Sequence, residues 1–591
     1  MIVPMKKIHL IVQKKDIISA LEELRSLGTV HVEPQEELSG YQLEERREEV
    51  EILTKAIDIL KGLKPLSGAA QEDAPDWTEV VNGVLELSAQ SEHYKESAAK
   101  REVLIKQWEP WGDFDPRDLE ELAGRGIYVR LGEVPAAQKI EVPAGVILET
   151  ISLPGGIHRC LAISRDKGTL PFETVLPPAM SLAKMKTLQE EEGRKGNEAW
   201  QKIAAQVCYL NSLEQTLVER RNVLSFEEVE KGMRAQEELA LLKGYCPASA
   251  CGDLQERARE ENWGLLIEAP SEGDTIPTLL RNPKWVELIK PVFTMINIIP
   301  GYKEVDISFF FLIFFAMFFG ILIGDAGYGT LFLLATLGAH RSAGKKMADK
   351  KPFFLMYVLS SCAILWGLGT GTLFGQILFK AAVKPVLPWL ADNKNVQRLC
   401  FLIGVVHLTI AHGWRFLMKL PAVISALAEI GWIVILWGAF FLANAMVVGA
   451  PLFGLDMGKS CGIVLFGAVL VVIDIVSRPK DGLFTGLVLA FFGCISAFTD
   501  VVSYIRLFAV GLAGVAVADA FNQMALDVGF HNVAAGLGAA LILVFGHILN
   551  ITLCMMGVLV HGIRLNVLEF ASHLNMEWSG IKYQPFGRMR G

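Results

Sequence analysis

The sequence predicts a mainly α-helical protein made of two unlike halves. The first half is expected to hold N-terminal α/β lobes joined by an antiparallel coiled-coil arm. The second is expected to be an eight-helix transmembrane domain with two long, tilted final helices. Residues 1–305 are rich in charge, whereas residues 306–591 form a series of apolar runs long enough to span a bilayer. The mean hydropathy of +0.36 averages over these two halves.

The N-terminal residues predict a small α/β lobe. IHLIVQ has the pattern of a strand, DIISALEELRSLG that of an amphipathic helix closed by Gly28, and TVHVE that of a second strand. The strand-like segment GLLIEAP returns to the same lobe later in the chain. We expect this proximal lobe to comprise about residues 1–40 and 241–295.

A coiled-coil arm is predicted at about residues 41–109 and 181–240, interrupted at 65–75. Apolar residues recur there at steps of three and four among many charges. The expected seam residues are Leu43, Val50, Leu53, Ile57 and Leu60 outbound, and Ile203, Val207, Leu210, Leu213 and Leu217 on return. Between the two passes, GIYVRLGEV, GVILETISL and HRCLAISRD predict strands of a distal lobe at about 110–180.

Composition and motifs exclude several classes of function for the soluble half. The net charge of −8 comes mostly from acidic helix faces, and no basic patch indicates nucleic acid. There is no phosphate-binding loop, dinucleotide fingerprint or metal-ligand cluster, so we predict no nucleotide site and no cofactor. Cys246 and Cys251 lack a second pair and are interpreted as structural. The arm is expected to hold partners at a distance, or to be a simple spacer.

Eight membrane spans are predicted over residues 306–591. Residues 309–340 fit two helices joined by a tight turn at Asp325, and Glu429 and Asp474 are expected near helix ends, at the membrane interface. The last two spans exceed the roughly 20 residues that a perpendicular crossing needs, which indicates tilt. The further predicted spans are 353–379, 399–418, 430–448, 461–476, 482–526 and 533–572.

The N-terminus and the connecting loops predict an orientation. MIVPMKKIHLIVQKKD carries charges inside any apolar core and is not a signal peptide, so the soluble half is expected in the cytoplasm. The loops that would then be cytoplasmic are richer in Lys and Arg than most of the others. An even number of spans returns the C-terminus to the cytoplasm.

Arg506 is the most informative single residue, because it lies in the long apolar segment FFGCISAFTDVVSYIRLFAVGLAG. A guanidinium at mid-membrane depth costs at least about 2.5–3.5 kcal/mol and usually faces a partner or a watery cavity. Snorkelling from a helix end is the alternative. Ser503 and Arg506 share a helix face with Val510, Ala513, Gly514 and Val517. That small-residue face predicts either a surface for a sliding helix or ordinary close packing.

The last helix carries a polar or small stripe at steps of three and four, about 25 Å long at about 1.5 Å per residue. Such a stripe indicates an ion pathway, or interhelical hydrogen bonds and caps. Glu569 follows Arg564 by five residues, a poor spacing for a pair on an α-helix, so a partner from a second helix is considered instead. The stripe comprises His547, Asn550, Cys554, Gly557, His561 and Arg564.

At SYIRLFAVGLAG the chain resembles the membrane subunit, called subunit a or subunit I, of the rotary V/A-type ATPases, and its compact size resembles the prokaryotic form. The likeness spans the whole chain. Further matching segments are KKIHLIV, LEELRSLGTVHVEP, GYCPAS, PGYKEVDISFFFLIFFAMFFGILIGDAGYG, ILWGLGTGTLFG, HGIRLNVLEF and YQPF.

The resemblance implies a mechanism and a set of partners. Arg506 matches the arginine that faces a rotating proteolipid ring, Arg564 the second arginine, and Glu569 the acid that follows it. Two offset half-channels would carry protons or sodium ions between the bilayer surfaces and the ring. The implied partners are the ring, peripheral stalk subunits, a central stalk or ring-adaptor subunit and the lipid bilayer of the cell membrane. The chain itself would be a non-catalytic subunit.

Two positions depart from the eukaryotic pattern. Gly514 stands where a histidine is common, and Cys554 where a glutamate is common. We therefore expect His547, Asn550 and His561, with Ser503 and Glu569, to supply the ion pathway. The alternatives are a secondary transporter in which Arg506 binds an anionic substrate, and a membrane-anchored scaffold. The sequence shows no repeated halves of the kind usual in transporters.

Overall fold

The computed structural model describes residues 1–35, 40–63, 76–135, 142, 145–152, 157–166, 174–271, 273–344, 347, 349–377, 384–449, 451–477 and 482–589. Two sheet-containing regions and a helical arm precede the apolar helices, which confirms the predicted fold class. The elements of the N-terminal half are β1 (Met5–Gln13), α1 (Ile17–Leu27), β2 (His31–Glu33), α2 (Tyr41–Lys61), α3 (Trp77–Trp108), α4 (Pro116–Gly124), β3 (Tyr128–Pro135), β4 (Val146–Ser152), β5 (Ile157–Ser164), β6 (Thr174–Val175), α5 (Leu182–Ala205), α6 (Leu210–Lys231), β7 (Arg234–Gln236), β8 (Leu239–Pro247), α7 (Cys251–Glu260), β9 (Gly264–Glu268), β10 (Pro277–Thr278) and α8 (Lys290–Met295).

The proximal sheet joins distant parts of the chain, as the sequence predicts. Its strand order is β2-β8-β1-β9, with β7 beside β8, and β1 is antiparallel to both of its neighbours. Alternate residues of β1 are buried against α1, and α1 ends at Gly28 with φ +60°. Gly244 permits the close approach of β2, because a Cβ there would lie 2.4 Å from the His31 carbonyl oxygen.

The arm is formed by helices that pack in pairs, α2 on α6 and α3 on α5. Helix α6 ends at Lys231 and the chain then enters β7, so the helical part stops short of residue 240. A second sheet of order β4-β5-β3-β6 lies between α3 and α5 in the chain. The predicted interruption at 65–75 lies outside the described residues, and the domain boundaries stay predictions. The buried seam comprises Leu53, Ala56, Ile57, Leu60, Val80, Val81, Val84, Ile203, Val207, Leu213 and Leu217.

Cys246 lies near the end of the interior strand β8, and Cys251 begins α7. Both thiols are free, and burial raises the pKa of Cys246 to about 12. A thiol that stays protonated is a poor nucleophile and a poor metal ligand, which fits the structural interpretation.

The second half contains the predicted apolar helices. Six helical stretches of the described residues are long and apolar enough to cross a membrane, and α9 is a shorter apolar helix, which α10 follows. The longest stretches run over Leu483–Val528 and Val533–His573. The elements are α9 (Ser308–Ile323), α10 (Ala326–Ala343), α11 (Lys351–Thr370), α12 (Asn393–Lys419), α13 (Val423–Ala443), α14 (Met457–Ser477), α15 (Leu483–Ser503), α16 (Ile505–Val528), α17 (Val533–Gly557), α18 (Ala571–His573) and β11 (Ile581–Lys582).

Asp325 makes the predicted turn between α9 and α10. Its Oδ1 accepts hydrogen bonds from the backbone N–H groups of Gly327 (2.7 Å) and Tyr328 (3.1 Å), as a helix N-cap does. The same carboxylate also accepts from the N–H groups of Phe374 (2.9 Å) and Gly375 (2.8 Å). One buried side chain therefore fixes both the turn and the loop that follows α11.

Glu429 lies in the second turn of α13, close to a helix end as predicted, and its depth in the membrane stays a prediction. The residue is completely buried, and its Oε2 lies 2.6 Å from His412 Nδ1. Its Oε1 contacts Arg415 at 3.1 Å and Lys419. All three partners come from the preceding helix, α12, whose last turns cover the carboxylate and exclude water.

The C-terminal tail returns to the proximal sheet. β11 pairs in parallel with β10, and the Tyr583 hydroxyl donates to the Thr29 carbonyl at 2.5 Å. The Phe586 N–H donates to the Val30 carbonyl at 2.7 Å, and its ring is buried in the core of β1 and α1. The last apolar helix is thus fastened to the first lobe of the chain.

We expect Phe586→Ala to release this tail. Loss of a buried phenylalanine costs about 3–5 kcal/mol in comparable cores, and Phe586 is the tail residue that enters the core of β1 and α1. Hydrogen–deuterium exchange should accelerate there in Phe586→Ala but not in Lys582→Ala, which removes an exposed side chain from the same tail. Equal protection in both variants would show that the ring does not hold the tail.

Candidate functional site

Arg506 follows an interruption in the long apolar helix. α15 and α16 meet at Tyr504, which is completely buried and whose hydroxyl lies 2.8 Å from His407 Nδ1. The Leu507 N–H donates to the Tyr504 carbonyl at 3.1 Å. The Ser503 carbonyl instead accepts from Arg506 Nε at 3.0 Å. The sequence predicts one continuous helix over 482–526, whereas the structure has a break at Tyr504 that orients the guanidinium.

Glu569 holds the other edge of the guanidinium. Its Oε1 accepts from Arg506 Nη2 at 2.8 Å and from Arg564 Nε at 3.3 Å. The carboxylate is 5% exposed, whereas the Arg506 and Arg564 side chains are 26% and 52% exposed. One buried anion is therefore shared by two cations that each retain an open edge.

The Arg564–Glu569 pair corrects the expectation that five-residue spacing keeps them apart. Beyond Gly557 the last helix is π-helical over Val558–Gly562 and Leu565–Phe570. A π-helix is hydrogen-bonded from i to i+5, so residues five apart become neighbours. The partner from a second helix considered for Glu569 is Arg506.

The middle of the polar stripe, at Asn550 and Cys554, packs against α16. Asn550 is completely buried, and its Nδ2 donates to the Gly514 carbonyl (2.7 Å) and to the Tyr328 hydroxyl (2.9 Å). A Cβ at Gly514 would lie 2.9 Å from Cys554 Sγ. Gly514 and Cys554, the two positions that depart from the eukaryotic pattern, are therefore in contact. Asn550 forms hydrogen bonds between helices, which is the alternative to an ion pathway.

The ends of the stripe are more open. His547 Nδ1 lies 2.7 Å from the Tyr328 hydroxyl. Tyr328 is not among the residues predicted for the ion pathway, although it follows Asp325 closely. The buried His561 Nδ1 has no hydrogen-bond partner among the described residues. The Ser503 hydroxyl donates to the Asp500 carbonyl at 2.7 Å. The structure gathers Ser503, Arg506, Arg564 and Glu569 but places His547 apart, beside Tyr328.

An exposed face of small residues extends from Arg506 along α16. It differs from the predicted face, because Gly514 is buried beside Cys554 and Val510 contacts Gly557 on α17. Small side chains at steps of three and four let another helix approach closely. The exposed residues are Ala509, Ala513, Ala516 and Ala520.

Comparison with known proteins identifies the family. The chain is 30% identical to the V-type ATP synthase subunit I of Borreliella burgdorferi over the full length of both chains. The chain belongs to the subunit I family of V-type and A-type ATP synthases. A subunit I of Treponema pallidum is 31% identical over 99% of this chain and 100% of its own, and the A-type subunit I of Archaeoglobus fulgidus is 25% identical over 59% of each.

Other comparisons add less. A solved structure of the cytoplasmic N-terminal domain of a subunit I covers 44% of this chain and 99% of its own, at 18% identity and a TM-score of 0.20, a likeness too weak to carry an argument. No family model matches the chain.

Membership of the subunit I family confirms the resemblance drawn from the sequence. Together with its apolar helices, it makes this subunit I a multi-pass membrane protein and a component of a larger ATP synthase. It argues against the secondary-transporter hypothesis.

We expect Asn550→Ala to weaken the contact between α16 and α17 in this subunit I. The substitution leaves the buried Gly514 carbonyl without the amide donor, at about 1–3 kcal/mol. Thermal unfolding of the purified membrane complex should begin at a lower temperature. Thr552→Val provides the control, because Thr552 is exposed on the same helix and its hydroxyl donates to the Ile548 carbonyl within that helix. Equal unfolding temperatures would contradict a structural role for Asn550.

Proposed function

We propose that this chain is the stator and ion-channel subunit of a rotary V/A-type ATPase. In this role Arg506 faces a carboxylate on a rotating proteolipid ring. The exposed guanidinium edge at the foot of an exposed small-residue face carries the proposal, because it offers a fixed cation where a neighbouring helix can pass closely.

The local charge balance supports this role. Arg506 and Arg564 together carry two positive charges, and Glu569 supplies one negative charge between them. The triad keeps a net positive charge that an arriving carboxylate can complete. Two opposite charges 4 Å apart attract by about 4 kcal/mol at an effective dielectric constant of 20. That energy shifts an ionisation equilibrium by about a thousandfold.

This attraction accounts for coupling. A ring carboxylate that arrives with its ion bound is stabilised in the ionised form beside Arg506, so the ion is released. The cation cannot leave, because Glu569 and the Ser503 carbonyl hold it, and it blocks a direct leak between two offset aqueous half-channels. Rotation then couples the transfer of protons or sodium ions to ATP hydrolysis or synthesis on other subunits.

Two groups of polar residues support the half-channels. His547 and Tyr328 contact each other apart from Arg506, and His561 and Glu569 lie near the two arginines. In this proposal Ser503 and Asn550 lie along the pathway and position the residues around them. Their own polar atoms form hydrogen bonds within or between helices.

The N-terminal half supports a stator role. Its paired helices form a narrow arm with a sheet at each end, a shape suited to holding partners apart. The proposed partners are peripheral stalk subunits, a central stalk or ring-adaptor subunit, the proteolipid ring and the lipid bilayer. The proposed location is the cell membrane, with the N-terminal half and the C-terminus in the cytoplasm.

Replacing Arg506 by Ala tests the proposal in vesicles that contain the complete complex. We expect the variant to assemble and to lose ATP-driven ion uptake by at least about a hundredfold, because removing one key electrostatic group costs about 2.7 kcal/mol or more in rate. Arg341→Ala is the matched control, since Arg341 is an exposed arginine at the end of α10.

Arg506→Lys separates charge from geometry. Lysine keeps the positive charge but loses the planar fork that bridges Ser503 and Glu569. We expect partial uptake from this variant. Normal uptake by assembled Arg506→Ala would refute the channel proposal and favour a membrane-anchored scaffold.

A further inference from the structure

Four side chains from four helices form an unbroken hydrogen-bonded chain in the membrane domain. Glu429 Oε2 on α13 lies 2.6 Å from His412 Nδ1 on α12, and His412 Nε2 lies 2.9 Å from Nδ1 of His573 on α18. His573 Nε2 lies 3.2 Å from Oδ2 of Asp500 on α15. All three separations are within hydrogen-bonding distance.

The two histidines cannot supply all the protons that this chain needs. Three hydrogen bonds require three protons, and a neutral imidazole carries one N–H and one acceptor nitrogen. Two neutral rings therefore satisfy two links. The third proton must lie on a carboxyl group or convert one ring to imidazolium. The four hydrogen-bonded side chains consequently hold one proton more than two neutral imidazole rings and two carboxylates would carry. That extra proton can occupy several sites.

We propose that Asp500, His573, His412 and Glu429 form a proton relay that serves the half-channel on the Asp500 side of Arg506. This inference rests on the proposed channel function and deepens it by naming the proton as the transported ion. Histidine nitrogens joined edge to edge pass protons by making and breaking N–H bonds. A sodium ion cannot be handed on by such an exchange of N–H bonds.

Each transfer in the relay conserves protons. Protonated Asp500 gives its proton to His573 Nε2, His573 Nδ1–H gives its proton to His412 Nε2, and His412 Nδ1–H gives its proton to Glu429. One O–H bond breaks at Asp500 and one forms at Glu429, while each ring exchanges one N–H bond for another. Both rings end in the opposite tautomer. They reset when they rotate or when a proton passes in the reverse direction.

The surrounding charges favour a mobile proton at the Glu429 end. Arg415 and Lys419 both contact Glu429 Oε1, so the carboxylate is stabilised and does not trap the proton. Their side chains are 21% and 33% exposed, whereas that of Glu429 is 1% exposed. The buried Glu429 is therefore separated from solvent by the partly exposed side chains of Arg415 and Lys419. Asp474, on α14, lies nearby and accepts from the Ser425 hydroxyl at 3.2 Å.

The other end of the relay reaches toward the fixed cation. The Asp500 side chain is 22% exposed, and its backbone carbonyl accepts from the Ser503 hydroxyl. The next link in that turn is the Ser503 carbonyl, which accepts from Arg506. Asp500 is thus the relay residue closest in the chain to the guanidinium, and it is open enough to exchange a proton with a passing group.

The relay is tested by proton uptake into vesicles that contain the complete complex. His412→Gln and His573→Gln keep an amide that can hydrogen-bond but cannot pass a proton, and we expect each to lower uptake at least tenfold with assembly intact. His340→Gln is the matched control, because His340 bonds Tyr357 outside the relay. His573→Ala should be slow without imidazole, and millimolar imidazole in the assay should restore part of its uptake.

Three results would overturn the relay. One is normal uptake by both glutamine variants while Arg506→Ala abolishes uptake, which would leave the channel proposal intact. Another is sodium uptake without proton uptake by the wild-type complex. The third is a loss in His573→Ala that imidazole does not change, which would mark His573 as a structural contact. Normal uptake by Arg506→Ala would instead refute the channel proposal itself.

Discussion

The buried carboxylate of Glu569 determines where the cation of Arg506 can point. Without it, two guanidinium groups would face each other in a medium of low dielectric constant, where like charges repel strongly. With it, both arginines are drawn to one oxygen atom and each keeps an exposed edge. The second oxygen, Oε2, is buried without a hydrogen-bond partner among the described residues. A carboxylate left partly unsatisfied in this way is costly, which indicates that its position matters more than its own stability.

Irregular backbone creates the functional geometry of this subunit I. Unsatisfied N–H and C=O groups are expensive in a bilayer, so each break in a helix needs a compensating partner. At Tyr504 the freed Ser503 carbonyl is taken by Arg506, and at Asp325 one carboxylate satisfies four N–H groups. The π-helical turns before and after Arg564 bring Glu569 into reach. Charged side chains and interruptions of helices therefore occur together. The side chain satisfies the freed backbone groups, and the interruption holds the side chain in place.

Local sequence patterns predicted most of the helices and strands. Which side chains meet depends on contacts between distant parts of the chain, and these the patterns do not contain. Strand alternation and helical periodicity predicted β1, α1 and the arm seam, and an apolar run interrupted by turn-forming residues predicted the two helices around Asp325. Arg506 was recognisable because a lone charge in an apolar run is expensive. The Arg564–Glu569 pair was missed, since π-helical winding depends on packing and not on a short motif. The burial of Glu429 was missed because its covering side chains, such as His412, come from another helix.

In the proposed motor the stator would have to resist the force that rotation applies to it, and the C-terminal tail offers a path for that force. A ring carboxylate that pulled on Arg506 would also pull on Glu569, which belongs to the last apolar helix. That helix continues into β11 and ends with Phe586 in the core of the proximal lobe. In that motor, force at the cation would reach the base of the arm through a few short-range contacts, without passing along the other membrane helices. The tail and the arginine site are therefore parts of one mechanical unit in the proposed motor.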